Sequence, residues 1–274
     1  MDIKAFKMDG LGNDFVIIDQ RNQNYNLSKD QIIKICDRNF IGCDQLIFIQ
    51  KSDRKDAELE FYNSDGSVSG ACGNGTRCVA DLLSKENNNN KIILWTSSGT
   101  LKSKILGDNL VETEIGIPKT NWDEIPLNKD LNTENLNIKI VNKNNIEHIG
   151  GTSINVGNPH VVFFVDNIED YDLKKIGPEI ENHNYFPEKC NVTLAKVISR
   201  KLIKVKVWER GAGLTKACGT AACATAVAAN INGLTDKKTD IEFALGKLSI
   251  SIDANNSVHM KGPVSDIKNI EINI

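Results

Sequence analysis

The sequence lacks any long apolar segment and any surplus of charge of one sign. No apolar run approaches the about 20 residues that a membrane-spanning helix needs. The formal net charge over 274 residues is −3, which leaves no electrostatic footprint for nucleic acid or an anionic membrane. The N-terminal residues show no apolar signal core, so we expect no secretion. We therefore predict a globular protein without a nucleic-acid or membrane partner, long enough for two hydrophobic cores.

Histidine is scarce, and the cysteines form no disulfide framework. The chain has 4 His and 7 Cys, an odd cysteine number that favours a reducing, cytoplasmic location. The spacings Cys72 to Cys78 and Cys218 to Cys223 are not those of a zinc ribbon, and no histidine lies at ligand distance, so we expect no metal site. A cysteine hydrolase needs one Cys/His set rather than a duplicated cysteine, which argues against hydrolysis.

The stretch from Trp208 to Ala229 combines a strand end, a glycine-containing turn and a helix without charged side chains. The helix is predicted from Ala221 to Asn230, and a helix with no charged face should be buried on all sides. Cys218 would then lie at the helix N-terminus, where free N–H groups and the helix dipole favour negative charge. These conditions are expected to lower the pKa of its thiol.

The same arrangement occurs in the first half of the chain. Ala71–Gly73 falls on Ala217–Gly219 at a shift of 146 residues, and Gly12–Asn13 falls on Gly157–Asn158 at a shift of 145. The order of features is kept across most of the chain, which indicates an internal duplication. We therefore predict an α+β fold of two pseudo-symmetric domains, each a mixed β-sheet or barrel wrapped around a central buried helix.

The predicted boundary between the domains follows Pro118. The first half should comprise residues 1–118 with the C-terminal strand 264–274, and the second half residues 119–263. The stretch 119–137 is polar, contains Pro126 and has no periodicity, and is therefore predicted to be a linker.

Two of the cysteines differ from the rest, because both precede a predicted helix, both lie between Ala and Gly, and both are repeated: Cys72 and Cys218. A cysteine at a helix start is placed where thiolates form. Cysteine is otherwise usually a small core residue, and the remaining ones are expected to pack in the interior: Cys36, Cys43, Cys78, Cys190 and Cys223.

Two thiols on opposite sides of one carbon could invert its configuration. One thiolate would remove a proton, the opposite thiol would deliver another, and the two helix N-termini could bind one carboxylate. General base catalysis contributes only about 10² to 10⁴-fold, so preorganised dipoles in a water-free site would have to stabilise the carbanion. The alternative is a redox role, since thiolates of low pKa oxidise readily.

Four segments together resemble the diaminopimelate epimerase family: Lys7–Phe15, Ala71–Cys78, Gly157–His160 and Trp208–Thr220. The match runs from end to end with the motifs in order. The resemblance implies an isomerase that needs neither pyridoxal phosphate nor any other cofactor. Such enzymes interconvert LL- and meso-diaminopimelate in lysine and cell-wall biosynthesis, and they close two domains over the substrate.

The resemblance also implies roles for individual residues. Cys72 and Cys218 would be the two bases, with Cys72 deprotonating the LL form, while His160 and Glu209 would support the thiols and the reacting amine. Backbone amides would hold the reacting carboxylate at Gly73, Asn74, Gly219 and Thr220. The remaining substrate-binding positions would be Asn13 and Gln45, together with those that recognise the distal end: Asn63, Asn158, Asn191 and Arg210.

Three residues depart from the family pattern: Asp9 replaces a His, Leu214 replaces an acidic residue, and Ala221 replaces the Gly after Cys-Gly-Thr. Ala221 adds a methyl group close to the predicted carboxylate site.

Two other functions stay open at this point. A proline or hydroxyproline racemase would use two thiols, although proline has no distal charged end for Arg210 to bind. A non-enzymatic redox or binding protein could form a Cys72–Cys218 disulfide. The sequence leaves the assembly open, and a homodimer is compatible with it.

Overall fold

The computed structural model describes residues 2–70, 72–97, 99–107 and 109–274. Ala71, which belongs to the first cysteine motif, lies outside the described residues. The chain divides into two compact units, Met1–Glu114 with Lys261–Ile274, and Ile115–Met260. The chain passes between them within two strands, Leu110–Gly116 and Val258–Pro263.

The first unit contains a sheet and two helices. Its elements are β1 (Asp2–Gly10), β2 (Asn13–Asp19), α1 (Lys29–Cys36), β3 (Gln45–Gln50), β4 (Ala57–Asn63), β5 (Val68–Ser69), α2 (Gly73–Asn87), β6 (Lys91–Thr96), β7 (Gly99–Gly107), β8 (Leu110–Gly116) and, at the C-terminal end, β19 (Lys268–Asn273). The strands lie in the order β19-β1-β2-β3-β4-β6-β7-β8. The pairs β2/β3 and β4/β6 are parallel, and the other neighbours are antiparallel.

The second unit contains two α-helices and a sheet of the same design. Its elements are β9 (Ile138–Val141), β10 (Glu147–Gly150), β11 (Thr152–Asn155), β12 (Pro159–Phe164), a 3₁₀ turn (Ile168–Asp170), α3 (Leu173–Glu181), β13 (Asn191–Ser199), β14 (Leu202–Glu209), β15 (Gly213–Thr215), α4 (Gly219–Ile231), β16 (Lys238–Phe243), β17 (Gly246–Ile252) and β18 (Val258–Pro263). The strand order is β11-β12-β13-β14-β16-β17, in which β12/β13 and β14/β16 are parallel.

The two units correspond strand for strand. The series β1-β2-β3-β4-β6-β7 repeats as β11-β12-β13-β14-β16-β17, with the same parallel and antiparallel pairs. The registers also agree, because Phe15 lies opposite Gln45 on β2/β3, as His160 lies opposite Asn191 on β12/β13. The predicted α+β duplication is therefore confirmed.

The inner strands of the first unit are buried on both faces, because each face of the sheet is covered by a helix. Ile17 and Ile47 pack in the cluster that includes residues of α2, whereas Val16 and Ile18 pack in the cluster that includes residues of α1. This alternation follows from the period-two direction of strand side chains. Near-continuous apolar runs are the sequence pattern that such doubly covered strands require.

Local sequence features account for how α1 begins and why α4 is buried. Ser28 and Gln31 form a reciprocal capping box at the start of α1, which satisfies two backbone donors that a helix end leaves open. Helix α4 is buried over nearly its whole length, from Gly219 to Ala229 apart from Thr220. It packs against strands β11, β12, β13, β16 and β17, as expected for a helix without a charged face.

The prediction of a linker at 119–137 is wrong. Ile125, Leu127 and Leu136 are buried in one core cluster of the second unit, together with Val161 and Ile180. The segment is therefore part of that unit. Its apolar residues are too irregularly spaced to create a helical or strand period, and their burial depends on residues distant in the chain.

Candidate active site

Cys72 is the N-cap residue of α2 and has an extended backbone, with φ −140° and ψ 112°. Its carbonyl oxygen accepts hydrogen bonds from the Thr76 backbone N–H and the Thr76 hydroxyl, both at 2.8 Å. The side chain of this N-cap residue makes no capping hydrogen bond to the helix. The amides of the first turn, which include those of Gly73 and Asn74, are the donors that an α-helix leaves available to an anion.

Cys218 occupies the corresponding place in the second unit. It is the N-cap of α4 with φ −139° and ψ 117°, again without a side-chain cap. The two cysteines thus share one backbone conformation to within a few degrees. The thiol sulfur of Cys218 lies 3.4 Å from the hydroxyl oxygen of Thr220, which places this predicted substrate-binding residue beside the predicted acid.

The predicted residues of the first unit form two groups. In the first, the Asn13 side-chain oxygen lies 3.6 Å from the Cys72 sulfur and accepts a hydrogen bond of 3.2 Å from the Asn74 amide. In the second, the Gln45 amide donates to Asn63 at 2.9 Å. Gln45 and Asn63 are register partners on β3 and β4, so this contact follows directly from strand pairing.

In the second unit, Asn191 joins two loops. Its side-chain oxygen accepts from the Arg210 backbone N–H at 2.9 Å, and its amide donates to the Pro159 carbonyl at 3.0 Å. The Arg210 guanidinium donates to the Glu188 carbonyl at 2.8 Å. Asn191 therefore fixes the backbone at Arg210, and its predicted contact with substrate stays a prediction.

His160 is fully buried and carries no charge near neutral pH. Burial lowers its pKa to about 3, and the charge of Arg210 adds to the shift. Its Nε2 lies 2.9 Å from the side-chain oxygen of Asn158. Because a neutral imidazole has one N–H, this contact assigns the proton to Nε2 and leaves Nδ1 as an acceptor. Among the described residues, none forms a hydrogen bond with Nδ1.

The expected lowering of the pKa is wrong for Cys218. Burial raises the pKa of this thiol well above its usual value, and the negative charge of Glu209 raises it further. The Thr220 hydroxyl and the Ala221 N–H oppose the shift without reversing it. Loss of hydration disfavours the charged thiolate more than the helix terminus favours it. Cys218 is therefore a protonated thiol in this structure, which suits a proton donor.

Neither a membrane span nor a metal cluster is found among the described residues. None of their helices has both the length and the apolar character that a span requires. No three or more of their His, Cys, Asp and Glu side chains are grouped so that they could hold a metal ion.

Comparison with known proteins decides the family. The diaminopimelate epimerase family model matches residues 5–120 and 152–267. The diaminopimelate epimerase of Pelagibacter ubique strain HTCC1062 is 76% identical over 274 residues, covering 100% of both chains. That of Caulobacter vibrioides strain NA1000 / CB15N is 42% identical over 269 residues, covering 94% of this chain and 93% of the relative. This chain belongs to the diaminopimelate epimerase family.

Solved structures share the family's two-unit fold at low sequence identity. A predicted epimerase from Pseudomonas aeruginosa superposes with a TM-score of 0.70 at 15% identity, covering 98% of this chain and 99% of the other. A hydroxyproline epimerase from Agrobacterium vitis gives a TM-score of 0.67 at 10% identity, covering 99% and 92%. At these identities the likeness concerns the fold alone.

Beside the motifs of the diaminopimelate epimerase family lie charged residues that the sequence analysis missed. Glu181 is almost fully buried and accepts hydrogen bonds from the Trp208 indole at 2.7 Å and the Gly211 N–H at 3.0 Å. Glu181 thereby fixes the two residues that flank Glu209 and Arg210 in the sequence. In the first unit, Asp44 accepts a hydrogen bond from the Asn13 side chain. Arg77 donates one to the Asn74 side chain. The available signal was a charged residue within or next to an apolar run, since such a charge usually has a partner.

Proposed function

We propose that this enzyme interconverts LL- and meso-diaminopimelate without a cofactor, using Cys72 and Cys218 as its two bases. Membership of the family supports the substrate and the reaction. The observation that carries the mechanism is that both cysteines are N-cap residues, with the same φ and ψ, at equivalent positions of a duplicated fold. A pair of equivalent thiols is suited to a reaction in which two opposite faces of one carbon need the same chemistry.

In the LL to meso direction, the Cys72 thiolate removes the proton from Cα, and its sulfur becomes a thiol. The electron pair left on Cα then takes a proton from the Cys218 thiol on the opposite face, which leaves Cys218 as the thiolate. The reverse reaction exchanges the two roles. The raised pKa of Cys218 supports its part as the donor, because the thiol must carry its proton when the carbanion forms.

The carbanion needs stabilisation that thiols do not supply. We assign this to the first-turn amides of α2 and α4, including those at Gly73, Asn74, Gly219 and Thr220, which would bind the carboxylate next to the reacting carbon. Neutral His160 and Glu209 would support the Cys218 thiol and the reacting amine. Arg210 would bind the distal carboxylate as a fork donor, and the remaining polar contacts to substrate would come from Asn13, Gln45, Asn63, Asn158 and Asn191.

Solvent isotope exchange tests the proposal. The purified, reduced protein would be incubated with LL-diaminopimelate in D₂O without added cofactor. Meso product carrying one solvent deuterium at Cα is expected. Cys72→Ser and Cys218→Ser should each reduce turnover by several orders of magnitude while the protein stays folded.

Two buried cysteines in the same helices provide matched controls. Cys78→Ala and Cys223→Ala remove a thiol from α2 and α4 without changing either N-cap, so both should keep most of the turnover. Nearly full activity in either N-cap variant would end the two-base proposal. Exchange at Cα of proline, with none in diaminopimelate, would transfer the mechanism to a racemase of proline type. No exchange in either substrate would favour a redox role.

We extend the proposal to the cytoplasm and to a homodimer. A cytoplasmic location is supported by the need of the mechanism for reduced thiols, and cell fractionation would test it. A homodimer would sediment as a species of twice the 30.3 kDa of one chain. Sedimentation at the mass of a single chain would reject it.

A further inference from the structure

The Asn13 side chain lies between a carboxylate and the Cys72 thiol. Its amide nitrogen donates to Asp44 at 3.0 Å, and its oxygen lies 3.6 Å from the Cys72 sulfur. An ionised carboxylate only accepts hydrogen bonds. The amide nitrogen must therefore face Asp44, and the oxygen must face Cys72.

The neighbouring amide is oriented by a cation in the same way. The Arg77 guanidinium donates to the Asn74 side-chain oxygen at 2.9 Å, and the Asn74 nitrogen donates to the Asn13 oxygen at 3.2 Å. A guanidinium only donates, so Arg77 fixes the direction of Asn74. Asp44, Asn13, Asn74 and Arg77 thus form one chain of hydrogen bonds, called here the amide chain, whose charged ends determine the direction of both amides.

The acidic end of the amide chain is itself held in place. Asp44 accepts hydrogen bonds from the Arg38 guanidinium at 2.6 Å and from the Asp14 backbone N–H at 3.1 Å. Arg38 makes two further bonds to Asp14, at 2.7 and 2.8 Å, and Lys7 forms an ion pair with Asp14 at 2.7 Å. Burial raises the pKa of Asp14, but the bonds from Arg38 and Lys7 outweigh this and lower it to about 2. The Asp14 carboxylate, which binds Arg38, therefore stays ionised near neutral pH.

The direction of Asn13 matters for proton transfer at Cys72. An amide oxygen facing the sulfur can accept from the S–H, which stabilises the protonated thiol and gives its hydrogen a defined direction. An amide nitrogen at the same place would donate to the sulfur, which stabilises the thiolate instead. The amide chain selects the first arrangement.

We propose that Asp44 and Arg77 are positioning residues, which act through Asn13 and Asn74 to keep an acceptor against the Cys72 thiol. This holds the state in which Cys72 carries the proton that it has taken from, or will return to, the substrate. The part that concerns turnover rests on the proposed function. The part that concerns the thiol does not, because the reactivity of Cys72 can be measured without substrate.

The test is the pH profile of alkylation by iodoacetamide, with Cys72 and Cys218 followed separately by peptide mass spectrometry. Asp44→Asn removes the charge that dictates the direction of Asn13, because the new amide can donate as well as accept. Asp44→Ala removes the acceptor altogether and is the second variant. In both, the Cys72 profile should move to lower pH, and the rate at pH 7 should rise about twofold to tenfold, the equilibrium factor of one hydrogen bond.

Asp37→Asn is the matched control. Asp37 is an exposed carboxylate at the end of α1, and its side chain bonds to Asn39. Its variant should alkylate at Cys72 like the parent protein, and Cys218 should keep its profile in every variant. With diaminopimelate, Asp44→Asn should lower kcat more than it raises KM. Rescue of kcat is expected in Asp44→Glu, which keeps an acceptor-only group.

Unchanged Cys72 profiles in Asp44→Asn and Asp44→Ala would overturn the proposal, whatever their activity. A parent protein that fails to exchange Cα hydrogen would instead overturn the proposed function and leave the alkylation result standing. Because Asp44 is partly exposed and lies in a loop, both variants should fold, and circular dichroism checks this directly.

Discussion

Gly75 is the point at which α2 comes closest to the sheet of the first unit. A Cβ at this position would lie 2.7 Å from Ile47 Cδ1, 3.1 Å from Phe61 Cε1 and 3.3 Å from Phe15 Cε1. Gly75→Ala therefore forces these side chains or the helix to move, and overpacking of this kind costs about 1–3 kcal/mol. The higher helix propensity of Ala returns about 1 kcal/mol. We expect a net destabilisation of about 1 kcal/mol, and at most about 2.

The second unit carries a methyl group at the equivalent position of its helix. The position equivalent to Gly75 is Ala221, and the residues equivalent to Ile47 and Phe61 are the smaller Thr193 and Val207. Helix α4 packs against β13, which carries Thr193, and Ala221 is fully buried there. Smaller residues at these equivalent positions are expected to leave room for the Ala221 methyl group.

A double-mutant cycle measures the contact. Ile47→Val removes the Cδ1 atom and alone should cost about 0.5–1.5 kcal/mol. In that background Gly75→Ala should cost little, because the new methyl fills the space of the lost one, which gives a coupling of about 1 kcal/mol in urea unfolding. Epimerisation should fall in Gly75→Ala, since a displaced α2 moves Cys72, and recover in the double variant. Additive free energies of unfolding would refute the reasoning.

Three further outcomes are expected. Gly177→Ala puts a Cβ 2.5 Å from Trp208 Cδ2, so urea unfolding should show a loss of about 1–3 kcal/mol, and turnover should fall because the indole adjoins Glu209. His160, with its pKa lowered to about 3 by burial, takes up a proton more readily when unfolded. Its stabilisation is complete above the unfolded value near 6.5 and declines as pH falls, by up to about 1.4 kcal/mol per pH unit between pH 6 and 4, whereas His160→Gln should lack this dependence. Ser28→Ala removes the cap of α1 and should cost about 1 kcal/mol in the same assay without changing KM.

The duplicated fold could be predicted because it depends on local sequence patterns. Alternating apolar residues before a glycine turn and an uncharged helix after a cysteine indicate strand, turn and buried helix at both places. The start of α4 was predicted within two residues of Gly219. Equivalence of the halves then follows from the constant spacing of the motifs.

The remaining features depend on contacts between residues that are far apart in the sequence. The shift of Cys218 to higher pKa could not be predicted, because it requires the burial that several strands create around α4 and the approach of Glu209. The contacts of Asp44 and Arg77 could not be predicted for the same reason. Each is a single charge in its own segment, and its partner, Asn13 or Asn74, is recognisable only once β2, α2 and the loop before β3 are placed together.

The duplication has kept the backbone at the two thiols and changed the side chains around them. Asn13 and Asn158 are equivalent, yet the oxygen of Asn13 faces the Cys72 sulfur, whereas that of Asn158 bonds to His160. His160 and Glu209 stand where the first unit has Phe15 and Asn63. The first thiol thus has the side-chain oxygen of Asn13 beside it, while burial and an adjacent carboxylate act on the second. This asymmetry is expected if one substrate presents different groups to the two thiols, because only the amine and the distal end need ionisable partners.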